Sequence, residues 1–95
     1  MGGAFADVYR NRRVLVTGHT GFKGSWLAHW LLRLGGKVSG IALAPPPGPG
    51  LFSVLDLAKR LDHRVSDLRD ADALAGAVRA IRPEIVFHLG AQPLV

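Results

Sequence analysis

The stretch that decides the fold of this 95-residue chain is Arg13 to Leu27, RVLVTGHTGFKGSWL. An apolar run leads into three glycines, Gly18, Gly21 and Gly24, and a helical pattern follows them. The first glycine lets the chain leave a strand, the second lets backbone approach a pyrophosphate, and the third lets helix pack closely on strand. We therefore predict a strand, a phosphate-binding turn and a helix, with a dinucleotide as ligand. The alternative is a tight turn with a structural role only.

Strand and helix patterns alternate outward from this stretch, which predicts an α/β layer architecture. The expected fold is a partial Rossmann-type, doubly wound parallel sheet in strand order 3-2-1-4, lacking the later strands. Residues 1–95 would then form the amino-terminal part of a dinucleotide-binding domain, without a substrate domain. The patterns place strands near 12–17, 37–43, 64–66 and 84–89, and helices near 22–35, 51–59 and 71–81, the last capped by Asp70.

The first helix has more apolar residues than a single buried face requires. We therefore expect other parts of the protein to pack against more than one of its sides. Residues 1–11 are expected to pack loosely, and the proline-rich residues 44–50 to form a loop. The helix has an expected sheet-facing stripe of Leu27, Leu31 and Leu34, an adjoining aromatic set of Phe22, Trp26 and Trp30, and a polar face of Ser25, His29 and Arg33.

Composition excludes several classes of function. There are no cysteines, which excludes disulfides and thiolate metal sites, and the four histidines lack metal-ligand spacing, so we expect no metal. A net charge of +5 invites nucleic-acid binding, but the basic residues are scattered without aromatic interleaving, so we expect no nucleic acid. The longest apolar stretch, 26–34, is too short to span a bilayer, and no signal sequence is visible. The expected location is cytoplasmic, away from membranes.

The turn itself offers four candidate ligand contacts beside its glycines. The backbone N–H groups of Phe22 and Lys23 lie where a first helical turn has unpaired donors, so they are the predicted pyrophosphate contacts. The Lys23 ammonium either adds a contact to phosphate or faces solvent, where it opposes the helix dipole. The Thr20 hydroxyl either binds the ligand or stabilises the turn.

One feature typical of NAD sites is missing. The second strand of such folds ends in an acid that holds the adenine ribose, but Ile41-Ala42-Leu43-Ala44 contains none, although Ala42 occupies the expected position. No arginine that could bind a 2′-phosphate follows before Arg60, so NADP is not favoured either.

Three motifs in order resemble the extended short-chain dehydrogenase/reductases: Thr17-Gly18-x-x-Gly21-x-x-Gly24, then Asp67-Leu68, then His88-Leu89-Gly90-Ala91. The resemblance implies NAD as cofactor, with Asp67 and Leu68 at the adenine and Leu89, Gly90 and Ala91 along the cofactor. Asp67 has an alternative role as a loop carboxylate beside Asp70. His88 is expected to be a packed, hydrogen-bonded histidine more than a catalyst. Gln92, just past the fourth strand, would face nicotinamide or sugar.

The resemblance is closest to the branch of nucleotide-sugar 4,6-dehydratases that act on CDP-glucose. Most relatives have Ile where this chain has Lys23, and residues 17–27, 51–52 and 86–95 fit this branch. In that branch a retained NAD accepts hydride from C4 of the sugar, water leaves across C5 and C6, and the hydride returns to C6. The resemblance thus implies CDP-glucose as substrate, CDP-4-dehydro-6-deoxyglucose as product, and a homo-oligomeric complete enzyme.

The catalytic groups of these enzymes are a Tyr-x-x-x-Lys pair with a Ser or Thr, and an Asp-Glu pair for the elimination. The single tyrosine, Tyr9, precedes the turn and has Arg13 four residues later. We therefore predict no catalytic residue in this chain and interpret it as an amino-terminal fragment. Two alternatives stay open: a related epimerase or reductase, and a stand-alone nucleotide-binding protein.

Overall fold

The structure is a computed structural model that describes residues 8–45 and 50–89. Within these ranges the chain forms one parallel sheet in the order β3-β2-β1-β4, which confirms the predicted topology and the α/β architecture. The strands are β1 (Arg13–Thr17), β2 (Lys37–Ala42), β3 (Asp62–Val65) and β4 (Ile85–His88); the helices are α1 (Phe22–Arg33), α2 (Leu51–Val54) and α3 (Ala71–Ile81).

Local sequence signals set the ends of the two longer helices. Gly35 has a φ of 86°, and its N–H donates to the Leu32 carbonyl at 3.1 Å, so the left-handed residue that ends α1 is the glycine expected there. Asp70 precedes α3 and accepts a hydrogen bond from the Ala73 N–H at 3.1 Å. This contact confirms the predicted cap.

Two predicted elements between β2 and α3 are wrong in their bounds. The helix expected over 51–59 is broken at Asp56, whose φ of 54° is left-handed, and a short 3-10 turn over Leu57–Lys59 follows. Aspartate tolerates this conformation better than most residues, which explains the break. The third strand begins at Asp62 and ends at Val65, so it lies earlier than the predicted 64–66, although the Ser66 N–H still donates to the Ala42 carbonyl at 2.9 Å.

The central strand β1 is buried on both faces, as its unbroken apolar run predicts. Val14 and Val16 pack on the side of α1, in a core cluster that includes Leu31. Leu15 packs on the opposite side with a smaller cluster that includes Ile81 of α3. The two layers meet at the sheet, and β1 therefore holds a fixed position at its centre.

Helix α1 differs from prediction in which side chains it buries. Ser25, expected on the polar face, is fully buried, and Leu27 and Leu34 are only partly buried. Trp26 and Trp30 are 48% and 46% exposed, so the described residues leave this aromatic surface largely uncovered. The close contact of α1 with the turn, which Gly24 permits, brings the Ser25 side of the helix inward.

The segment before β1 packs more firmly than predicted where the structure describes it; residues 1–7 lie outside the described part. The Tyr9 ring contacts Phe87 at a centroid distance of 6.4 Å, and the Asn11 N–H donates to the Gly35 carbonyl at 2.9 Å. These contacts tie residues 8–11 to β4 and to the end of α1.

The basic residues before β1 take part in the fold. Glu84 accepts hydrogen bonds from the Arg12 guanidinium at 2.9 Å and from the Arg13 N–H at 3.2 Å, and these contacts lower the pKa of Glu84. The Arg13 guanidinium donates to the Arg82 carbonyl at 2.6 Å. The charges thus join the starts of β1 and β4.

Candidate nucleotide-binding site

The glycine turn lies at the carboxyl end of β1, at the point where the strand order reverses. The chain proceeds from β1 to β2 and β3 on one side and then crosses to β4 on the other side of β1. Open α/β sheets bind ligands in the crevice at such a reversal. The topology therefore puts the predicted phosphate turn at the expected place.

Two of the three glycines are required by the fold itself. Gly18 has a φ of 80°, and its N–H donates to the Ile41 carbonyl of β2 at 2.9 Å. A Cβ atom on Gly24 would lie 2.0 Å from the Gly18 carbonyl oxygen. Gly18 therefore provides the turn, and Gly24 provides the close contact of helix with strand.

Gly21 is different, because nothing in the described chain requires a glycine there. Its φ of −78° suits any residue, and a Cβ atom would lie 3.7 Å from the nearest heavy atom, the Gly18 carbonyl oxygen. It precedes α1 without a side-chain cap, and Gly21, Phe22 and Lys23 are all exposed. An open approach to uncapped first-turn N–H groups fits a pyrophosphate, so the residues present suit a dinucleotide.

Thr20 has the stabilising contact that was one of its two expected roles. Its hydroxyl donates to the Leu43 carbonyl at 3.1 Å, which ties the turn to the end of β2. Lys23 is exposed on the first turn of α1, and whether its ammonium meets phosphate stays a prediction.

NAD sites typically have an acidic residue at the end of the second strand. In this chain the end of β2 has apolar residues instead. Ala42 is 3% exposed, whereas the following Leu43 is 52% exposed. A carboxylate at position 42 would therefore enter a mostly buried position. The described residues therefore provide no β2 carboxylate for an adenine ribose.

Asp67 and Leu68 follow β3. The Asp67 side chain is partly exposed, whereas the Leu68 side chain is buried. The Asp67 carboxylate accepts hydrogen bonds from the Arg69 N–H at 2.9 Å and from the Arg69 guanidinium at 2.7 Å, and these contacts lower the pKa of Asp67 to about 2. Asp67 is thus ionised and able to accept further hydrogen bonds. The Leu68 side chain is buried with Leu15 and Ile81, so its predicted contact with adenine would use its backbone.

His88 is hydrogen-bonded but exposed, so the prediction of a packed histidine is wrong in part. Its Nδ1 lies 2.5 Å from the Thr17 hydroxyl, and the residue is exposed on β4, an edge strand of the described sheet. The Leu89 N–H donates to the Thr17 carbonyl at 3.0 Å. Three predicted cofactor contacts, Gly90, Ala91 and Gln92, lie outside the described residues.

No sequence prediction assigns a role to His19, yet its side chain is among the most buried in the turn. The ring is 0% exposed, and its Nε2 lies 2.7 Å from Nδ1 of His63 on β3. The pKa of His19 is lowered from 6.5 to about 4, chiefly because the ring is buried and secondarily because of the charge of His63. The His19 ring is therefore neutral at pH 7. The sequence signal for this burial is Gly40. Every other residue of β2 has a side chain, and the missing side chain at position 40 leaves room for the ring.

The described residues also bear on metal sites and membrane spans. They contain no group of three His, Cys, Asp or Glu side chains placed to hold a metal ion. None of the helices they form has the length and apolar character needed to cross a membrane.

Comparison with known proteins identifies the relatives of this chain. It is 47% identical over 89 residues to a CDP-glucose 4,6-dehydratase of Salmonella typhimurium, an alignment that covers 94% of this chain and 25% of that protein. It is 38% identical over 81 residues to a UDP-glucose 4-epimerase of Mycolicibacterium smegmatis, covering 84% of this chain and 25% of the relative. The chain thus spans about a quarter of the length of both relatives.

A solved structure from Burkholderia cenocepacia J2315, assigned as an epimerase, has the same fold with a TM-score of 0.69 and 34% identity, over 87% of this chain and 26% of that one. The sequence profile of the GDP-mannose 4,6 dehydratase family matches residues 15–95, which include the turn and all four strands except the start of β1. The chain therefore belongs to the GDP-mannose 4,6-dehydratase family.

Proposed function

We propose that this chain is the amino-terminal, NAD-binding portion of a nucleotide-sugar 4,6-dehydratase that converts CDP-glucose to CDP-4-dehydro-6-deoxyglucose and water. The observation that carries the proposal is the open, uncapped first turn of α1 behind Gly21, at the strand-order reversal. The choice of CDP-glucose rests on the 47% identity to a CDP-glucose 4,6-dehydratase. It is consistent with Lys23, which marks that branch in the sequence.

NAD, when bound, would supply the hydride acceptor for oxidation at C4 of the sugar. The chain's own part is binding and orientation. The Phe22 and Lys23 N–H groups would hold the pyrophosphate, where the positive end of α1 favours negative charge. The ionised Asp67 would accept a hydrogen bond from the adenine amino group, and the family resemblance assigns Leu89, Gly90 and Ala91 to the length of the cofactor and Gln92 to nicotinamide or sugar.

The remaining parts of the proposal concern the full-length protein. The Tyr-x-x-x-Lys pair and the elimination acids lie in a later segment, as does the substrate domain. The complete enzyme works as a homo-oligomer in the cytoplasm, without nucleic acid or membrane as partner.

A second candidate function is epimerisation of a nucleotide sugar by the same fold, which the 38% identity to a UDP-glucose 4-epimerase supports. Oxidation at C4 is common to both reactions, so the glycine turn serves either one. The elimination acids separate them, because only a dehydratase must remove water across C5 and C6.

The reaction assay separates these candidates. The full-length protein with NAD is expected to convert CDP-glucose to a 4-keto-6-deoxy product, detected by mass loss of one water. UDP-glucose, which differs from CDP-glucose only in its base, serves as the matched substrate, and GDP-mannose differs in both the base and the configuration at C2 of the sugar; both are expected to react at least tenfold more slowly. Interconversion of CDP-glucose with its C4 epimer, without loss of water, would contradict dehydration and favour the epimerase. The 95-residue chain alone is expected to be inactive.

The position of the pyrophosphate is tested by Gly21→Val in the full-length protein. The side chain of valine would occupy the open space in front of the first-turn N–H groups. We expect loss of at least a hundredfold in NAD affinity, measured by calorimetric titration, while the protein stays folded. The fold tolerates the change because φ at Gly21 is −78°.

Gly50→Val is the matched control, since Gly50 also precedes a helix in extended conformation, lacks a side-chain cap and has open space at its Cβ position. The control should bind NAD as the wild type does. Normal NAD retention by Gly21→Val would show that the pyrophosphate lies elsewhere.

A further inference from the structure

We propose that His19 is a positioning residue: its buried ring, seated beside Gly40 and hydrogen-bonded to His63, anchors the glycine turn in the shape that presents its N–H groups to a pyrophosphate. The inference rests on the proposed NAD-binding function. It adds a requirement that the glycine motif does not contain, namely a contact between the turn and β3.

A slot in the sheet receives the ring. Gly40 pairs with Val16 on β1 and with His63 on β3, so a missing side chain at position 40 leaves a gap between two side chains on the same face. A Cβ atom on Gly40 would lie 2.3 Å from Cγ of His19. The His19 ring therefore fills the place of a Gly40 side chain.

The ring is held by directional contacts as well as by shape. Its Nε2 lies 2.7 Å from Nδ1 of His63, and its plane meets the Phe52 ring edge-on at a centroid distance of 5.5 Å. Within the described residues, Nδ1 of His19 has no hydrogen-bond partner of good geometry, although the backbone of Ile41 lies near enough to raise the pKa of the ring against the larger effect of burial. The Nε2 contact with His63 is thus the short hydrogen bond that the described residues give this ring.

The backbone of His19 is fixed from its other side. Its carbonyl accepts a hydrogen bond from the buried Ser25 hydroxyl at 2.7 Å, and the Ser25 N–H donates to the Gly21 carbonyl at 2.8 Å. One residue of the turn is therefore tied to β3 through its side chain and to α1 through its carbonyl.

Anchoring matters because this turn is rich in glycine. Gly18 and Gly21 have large conformational freedom in a free chain, and ordering them costs entropy at the moment of binding unless the fold has already done so. A turn held in shape before the ligand arrives binds more tightly. NAD affinity should consequently depend on His63, although His63 is not itself in the turn.

The test replaces His63 and leaves the turn sequence unchanged. His63→Phe keeps a ring beside Phe52 but removes the partner of His19 Nε2, whereas His63→Gln keeps a donor and an acceptor. In the full-length protein we expect His63→Phe to raise the Kd for NAD about tenfold, and His63→Gln to stay within about threefold of wild type.

A second readout needs no cofactor. Hydrogen exchange of the Gly18 and Gly21 amides, measured without NAD, should be about tenfold faster in His63→Phe than in wild type and near wild type in His63→Gln. Ile81→Val in the other core cluster is the control for general destabilisation and should change neither readout at a temperature where it is folded.

Unchanged amide exchange in His63→Phe would overturn the inference, and so would equal acceleration in Ile81→Val or, where the wild type binds NAD, an unchanged Kd in His63→Phe. Faster exchange with rescue by His63→Gln supports it whether or not NAD binds. Failure of the wild type to bind NAD would overturn the proposed function alone, because the exchange readout is independent of the ligand.

Discussion

The Gly24→Ala variant of the full-length protein is expected to lose about 3 kcal/mol or more of the free energy of unfolding, because overpacking at a rigid contact costs this much. The added Cβ atom would lie 2.0 Å from the Gly18 carbonyl oxygen and 2.7 Å from Cα of His19. Both neighbours are backbone atoms of the turn, so neither can move aside by rotating a side chain. Either α1 moves away from β1, or the turn changes shape.

Urea-induced unfolding measures this loss, and Gly76→Ala is the matched control. Gly76 lies inside α3, and a Cβ atom there would meet no heavy atom within 4 Å. Alanine is favoured over glycine in a helix by about 0.5–1 kcal/mol, so the control should be stabilised. If Gly24→Ala unfolds at the same urea concentration as the wild type, the turn is more open than the structure describes.

The sequence predicts those features of the fold that depend on local chemistry. Gly18 and Gly24 could be assigned roles from spacing alone, because a strand, a tight turn and a helix in close contact leave no room for side chains there. The Asp70 cap follows in the same way from an acid directly before an apolar helical pattern. Strand order follows from the alternation of strands and helices.

The features that the sequence does not predict depend on residues far apart in the chain. The direction of the His19 side chain is set by the gap at Gly40 and by His63, 44 residues later. Ser25 was placed on the wrong face for the same reason, since its partner is the His19 carbonyl and helical periodicity does not contain that contact. His88 lies on β4, which the predicted strand order already places at the edge of the sheet, but the apolar run that contains it favoured a buried strand.

Burial of a neutral histidine in the turn also predicts how stability changes with pH. The pKa of His19 is about 4 in the folded protein and 6.5 as its reference value, so the unfolded chain takes up a proton in this range and the folded protein does not. Stability is therefore complete above pH 6.5 and falls as the pH is lowered toward about 4. At about 1.4 kcal/mol for each pH unit, the loss reaches at most about 3.5 kcal/mol.

Three other groups have lowered pKa values and must be separated from His19. The pKa of Asp67 is lowered to about 2 by its hydrogen bonds with Arg69, so its stabilising contact is lost in more acidic solution, below the range of the His19 effect. The pKa of Glu84 is lowered by its hydrogen bonds with Arg13 and Arg12, so it too contributes stability that is lost as the pH falls. The pKa of His29 is lowered by partial desolvation and by Arg60 and Arg33, so it acts in the same direction as His19. A difference between two proteins that share these groups removes all three contributions.

His19→Phe provides that difference, because phenylalanine keeps a ring in the slot beside Gly40 but cannot take up a proton. Urea-induced unfolding of both full-length proteins at pH 7.5, 6, 5 and 4.5 gives the free energy of unfolding at each pH. The wild type should lose more stability than His19→Phe between pH 6.5 and 4.5, by about 2 kcal/mol for a shift of this size. Parallel curves for the two proteins would mean that His19 is solvated or already protonated in the folded state, and that the buried pair with His63 does not form.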